Sequence, residues 1–113
     1  MARVVAVFDD LLLGSNVLGA LRAAGHDASM AGPSVEGVDA DVLVVDLGSA
    51  GFDGVEVVER LRKSGELGGA RTLGVYSHVH HELKLRAEGA GFDLVVPRSR
   101  MAREGAALID RLA

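Results

Sequence analysis

The chain has 113 residues, a net charge of −4 and no cysteine. That length fits one domain with a real core. The missing cysteine excludes disulfides, a thiolate nucleophile and Cys-based metal sites, and the acidic balance argues against a nucleic-acid-binding surface. Hydrophobic residues make up 49% of the chain and aromatics only 4%, so Val, Leu and Ala must fill the core. No basic segment followed by a long apolar stretch opens the chain. No apolar run reaches the ~18 residues of a membrane span. A cytoplasmic protein without membrane contact is the expectation.

Residues 3–8, Arg-Val-Val-Ala-Val-Phe, read as a strand buried on both faces and closed by Asp9 and Asp10. Residues 11–25 predict a helix, with Leu13, Val17, Leu21 and Ala24 on one face and Gly25 as its stop. Residues 26–31 form a weaker second strand. A parallel crossover usually needs about a dozen residues including a helix. Here Pro33 and Gly37 leave room for one turn at most, Ser34 to Val38, so the second helix is expected to be short or absent. Residues 41–46, Asp-Val-Leu-Val-Val-Asp, are the third strand. Residues 54–64 are helical, with Val55, Val58 and Leu61 on one stripe and Gly65 at the end. Thr72 to Ser77 is the fourth strand, and residues 80–89 are a helix closed by Gly89. Phe92 to Val96 is the fifth strand, stopped by Pro97. Residues 100–112 form the last helix, with Met101, Leu108, Ile109 and Leu112 buried. This alternation predicts an α/β fold, a parallel sheet with helices on both faces.

A parallel sheet gathers Asp9, Asp10 and Asp46 at its carboxyl edge, where open α/β sheets bind ligands. Three carboxylates there repel one another, and a hard divalent cation relieves the repulsion. The plainer reading is that each merely caps a helix or loop.

The stretch from Asp46 to Gly54, Asp-Leu-Gly-Ser-Ala-Gly-Phe-Asp-Gly, follows the pattern Asp-x-x-x-Pro-x-x-Asp-Gly with Ala50 in the proline position. Asp9-Asp10 matches an acidic pair after the first strand, Ser77 a hydroxyl residue ending the fourth. Gly89-Ala90 and Pro97 match residues around the fifth. On these residues the chain resembles, over almost its whole length, the receiver domains of two-component response regulators, the CheY-like family. The resemblance implies a flavodoxin-like, doubly wound five-stranded sheet in the order 2-1-3-4-5. A single receiver-like domain over residues 1–113, without an output domain, is the expectation, since no linker or low-complexity tail follows. Its function would be signalling: Asp46 accepts a phosphoryl group from a histidine kinase or phosphotransfer protein. Such a chain is no enzyme beyond self-catalysed phosphotransfer. Asp10 and Asp46 would ligate Mg²⁺ weakly, Asp9 would act through water, and the Gly48 carbonyl would complete the set. Ser77 would hydrogen-bond the phosphoryl group. A downstream protein would dock on residues 78–112, and a homodimer is a further candidate assembly.

The departures matter as much. Val96 stands where the family carries a lysine that neutralises a phosphoryl oxygen. Losing one such donor costs on the order of 3 kcal/mol at a transition state, ~100-fold in rate. Arg98 is the cation placed to reach back, although a solvated surface arginine is the plainer reading. Asp93 replaces the usual aromatic switch residue and reads most simply as a surface acid. Ala50, Asp93 and Val96 together leave a second reading open, a pseudo-receiver that binds proteins independently of phosphorylation. His78, His80 and His81 form a His-x-His-His run that suits a transition metal, or, more plainly, a polar helix start. Arg98, Arg100 and Arg103 form a small basic patch. The haloacid-dehalogenase motif needs Asp-x-Asp, whereas Leu11 fills the second slot after Asp9. A flavodoxin phosphate loop does not tolerate Leu11 to Leu13, and the cobalamin motif Asp-x-His-x-x-Gly is absent.

Overall fold

Val-rich strands buried on both faces can sit only in a sheet covered on both sides, and the computed structural model has that architecture. It describes residues 1–77 and 79–113. The strands are β1 (Arg3–Val7), β2 (Asp27–Ala31), β3 (Val42–Asp46), β4 (Arg71–Tyr76) and β5 (Leu94–Pro97). They pair in parallel in the order β2-β1-β3-β4-β5. The helices are α1 (Leu11–Ala23), α2 (Gly54–Ser64), α3 (His81–Gly89) and α4 (Arg98–Leu112). Both the fold class and the strand order expected from the sequence are present.

Strand β3 is buried along its whole length. Its side chains alternate between two cores, Val42 and Val44 on one face and Leu43 and Val45 on the other. The first core lies beneath α1 and α4, where Leu21, Leu108 and Ile109 meet Val4, Leu73 and Val96. The second lies beneath α2 and α3, where Val58, Leu61 and Ala87 meet Val7, Tyr76 and Val95.

No helix forms between β2 and β3. Residues 32–41 instead make a strap held by polar contacts, as backbone groups denied a helix must find other partners. Arg60 Nη2 donates to the carbonyls of Pro33 (3.0 Å) and Val35 (2.9 Å). The Val38 amide donates to Glu66 O at 2.7 Å, and the Val38 side chain joins the core. The last helix starts at Arg98, two residues earlier than the sequence suggests, and Pro97 belongs to β5 rather than ending before it. Strand β5 lies at the sheet edge, so a proline without an N–H costs no ladder bond there. The chain ends are clasped by His26, which is buried. Its Nδ1 accepts from the Ala2 amide at 3.0 Å, and its Nε2 lies 3.1 Å from Asp110.

Asp53 organises the start of α2. Its Oδ1 accepts from the amides of Val55 (3.1 Å) and Glu56 (3.2 Å), and Arg86 of α3 donates to its Oδ2 at 2.6 Å. Partial burial alone would raise the Asp53 pKa. The Arg86 hydrogen bond, the two amides and the Arg86 charge outweigh it and hold the carboxyl below its ordinary 3.8. A carboxyl whose pKa is depressed on folding stabilises above its unfolded pKa, and that stability is lost as pH falls through the folded value. Asp53→Ala should therefore lose about 1 kcal/mol at neutral pH. Urea denaturation should show the gap to wild type narrowing below pH ~4; a gap independent of pH would show that the carboxylate charge plays no part.

Candidate functional site

Four strand ends converge at the carboxyl edge. Strand β3 ends in Asp46, β1 runs on to Asp9 and Asp10, β4 to Ser77, and β5 to Pro97 and Arg98. The Asp46 side chain is 0% exposed. A carboxylate out of water must be paired and hydrogen-bonded. The Gly48 amide donates to Asp46 Oδ1 at 3.0 Å. Arg98 Nη2 lies 3.3 Å from both carboxylate oxygens.

Arg98 is therefore a partner of the buried acid rather than a solvated side chain. Its position at the first residue of α4 aims it back over the sheet edge, and 37% of its side chain stays exposed. The gross attraction at this separation is roughly 5 kcal/mol for an effective dielectric near 20, and desolvation removes much of it. One donor is left over: Arg98 Nε is buried and finds no acceptor among the described residues. Val96, in the family lysine position, shares a register row with Asp46 across β4. It is 0% exposed in the core beneath α1 and α4. The cation thus comes from the first residue of α4 instead of from the strand.

The other two acids are engaged elsewhere. Asp10 caps α1, its Oδ1 accepting from the Leu13 amide at 3.1 Å. Asp9 Oδ2 accepts from the Gly51 amide at 3.1 Å and so ties the end of β1 to the loop after β3. A Cβ at Gly51 would collide with that carboxylate. Gly54 is fixed by sterics, since a Cβ there would stand 2.6 Å from Asp46 O and 2.8 Å from Val45 Cγ1. That contact is the physical reason for the Asp-Gly pair at 53–54. Ser77 borders the pocket: its amide nitrogen lies 3.8 Å from where a Gly48 Cβ would stand. Its carbonyl accepts from the His80 amide at 2.8 Å.

Each of the three acids accepts from its own donor. The residues as placed do not fit a magnesium ion on Asp9, Asp10, Asp46 and the Gly48 carbonyl, because the acids are not turned toward one point. Among the described residues no three His, Asp or Glu side chains are grouped to hold a metal. Of the His-x-His-His run, His78 lies outside the described residues, and His80 Nδ1 sits 3.4 Å from Glu82.

Asp93 is not a plain surface acid. Its Oδ2 accepts from the Thr72 amide (2.8 Å) and hydroxyl (3.2 Å), and its own amide donates to Thr72 Oγ1 (3.1 Å). It locks the start of β5 to the start of β4, at the opposite end of the strands from Asp46. In the basic patch, Arg100 Nε lies 3.3 Å from Glu104 and Arg103 Nη2 4.0 Å from the same acid. The patch is therefore partly neutralised by its own helix.

No protein-family model matches the sequence, and no curated protein matches it. Solved structures do. The chemotaxis response regulator CheY4 of Vibrio cholerae, crystallised at low pH, superposes with a TM-score of 0.83 at 19% identity, covering 100% of this chain and 99% of that one. The receiver domain of Francisella response regulator 1452 gives 0.80 at 18%, covering 99% and 96%. A Burkholderia pseudomallei response regulator with a phosphorylated aspartic acid, calcium ion and citrate gives 0.76 at 14%, covering 100% and 67%. The chain has the fold of CheY-like response regulator receiver domains over nearly its full length.

Removing one partner of a buried ion pair strands the other. Arg98→Met should destabilise the fold by ~2–3 kcal/mol, at or below the low end for buried pairs because Arg98 is partly exposed. The double variant with Asp46→Asn should recover part of that loss, a coupling that urea denaturation of the four proteins measures. Additive losses would mean that the contact carries no energy.

Proposed function

We propose that this chain is a single-domain signalling receiver that accepts a phosphoryl group on Asp46 from a histidine kinase or phosphotransfer protein. The observation that carries the reading is the Arg98 guanidinium. It already holds the Asp46 carboxylate at 3.3 Å and keeps a buried Nε donor unspent. In the reaction an Asp46 oxygen attacks the phosphohistidine phosphorus. The P–N bond breaks, the imidazole leaves with its electron pair and takes up a proton, and an acyl phosphate remains. Negative charge spreads over the three equatorial oxygens in such a transfer. A planar guanidinium serves two of those oxygens at once, and the Gly48 amide and Ser77 are the remaining donors at the pocket. The long Nη2 contacts leave Arg98 free to swing outward and open Asp46 to the donor. The Burkholderia pseudomallei neighbour, with its phosphorylated aspartic acid, supports the assignment of an aspartate.

The downstream partner is a protein that docks on residues 78–112, where Val79 and Leu85 are exposed apolar side chains. No helix of the described residues is long and apolar enough to cross a membrane. Complete burial of the Asp46 side chain favours a second reading, a pseudo-receiver that binds its partner whatever the phosphorylation state.

Intact-protein mass spectrometry with acetyl phosphate separates the two. Wild type should gain one phosphate and Asp46→Asn none. Without added divalent metal, Arg98→Ala should slow the gain by about 100-fold. Val96→Lys should add little, because Arg98 already supplies the charge. A wild type that takes no phosphate would leave the pseudo-receiver as the function.

A further inference from the structure

We propose that Arg98 is a built-in replacement for the divalent cation of this pocket, so that Asp46 is neutralised by a covalently attached charge and binds no Mg²⁺. The proposal rests on the receiver reading of the pocket, and it explains why these acids do not fit a metal. A hard cation needs several carboxylate oxygens turned toward one point. Here the Asp46 oxygens are taken by Arg98 Nη2 and the Gly48 amide. The Asp10 Oδ1 is spent on the first turn of α1, and the Asp9 Oδ2 is spent on the Gly51 amide. A metal at Asp46 would have to displace the guanidinium or stand beside it, and two cations on one buried carboxylate repel. A metal that took Asp10 Oδ1 would also free the Leu13 N–H at the start of α1.

The arrangement makes the cation part of the chain. Its local concentration is fixed by its place as the first residue after β5 and does not follow the ion content of the medium. A receiver of this kind responds to a phosphoryl donor without sensing free Mg²⁺.

The test uses Mn²⁺ as the paramagnetic probe and Mg²⁺ as the diamagnetic one, with ¹⁵N-labelled full-length protein. Wild type should show no saturable Mg²⁺ shifts and no selective Mn²⁺ broadening at Asp10, Asp46 and Gly48. Arg98→Met should gain Mn²⁺ affinity at those residues by roughly tenfold or more, because the carboxylate is then unpaired. Adding Asp46→Asn should remove that gain. Saturable shifts at Asp10 and Asp46 in wild type would overturn the proposal, and this result does not depend on any variant folding. A folded Arg98→Met protein that binds no better than wild type would also overturn it, since something other than the guanidinium would then exclude the ion. The phosphoryl arm separates this proposal from the function. Phosphate gained on Asp46 equally in Mg²⁺ and in EDTA supports both. Phosphate gained only with Mg²⁺ overturns the built-in cation and leaves the receiver reading standing. No phosphate in either condition, with no metal shifts, removes the phosphoacceptor and leaves the cation replacement standing.

Discussion

A carboxylate with no exposed surface at the end of the central strand is the constraint around which the carboxyl edge is built. A buried unpaired charge costs several kcal/mol even after relaxation, so a carboxylate with no exposed surface needs partners. The chain answers with one cation and one amide, Arg98 and Gly48. To bring Arg98 over the pocket, β5 must end at Pro97 and α4 must begin at the next residue. To bring the Gly48 amide back onto Asp46, the chain must turn sharply after β3. The Gly51 amide then meets Asp9, and Gly54 packs against the Asp46 carbonyl with no room for a Cβ. The loop, two strand ends and a helix start are thus set by one buried acid.

Most of the architecture was readable from the sequence because sheet burial leaves a strong trace. Val-rich runs bounded by Gly, Asp and Pro mark strands covered on both faces, and the absent helix between β2 and β3 followed from Pro33, Gly37 and a connection too short to hold one. Boundaries were less legible near Pro97. A proline usually ends a strand pattern, and the edge position that lets it stay inside β5 is a property of topology. The site was legible in its residue types but not in their pairings. Asp10, Asp46 and Arg98 were all visible as candidates, yet which donor each acid takes depends on side-chain reach across separate strand ends. Asp93 shows the same limit: its partner Thr72 lies 21 positions away and shares no local pattern with it. The Asp53–Arg86 pair, which joins α2 to α3, was missed for the same reason.

Position matters as much as charge in the pocket's cation. A lysine at position 96 would be anchored in β5, which the sheet holds rigidly whatever the side chain does. Arg98 is anchored in the first turn of α4, a turn with no side-chain cap. The first turn of a helix has orphan N–H groups and frays easily unless something holds it. The contact with Asp46 is such a hold. The contact is made by the first residue of α4, so it ties that helix start to the pocket, whereas a strand lysine would not involve the helix. The far end of α4 stays fixed through Asp110 on His26, which also receives the Ala2 amide. The positive charge paired with Asp46 thus reaches the pocket from the first residue of the last helix and not from the sheet.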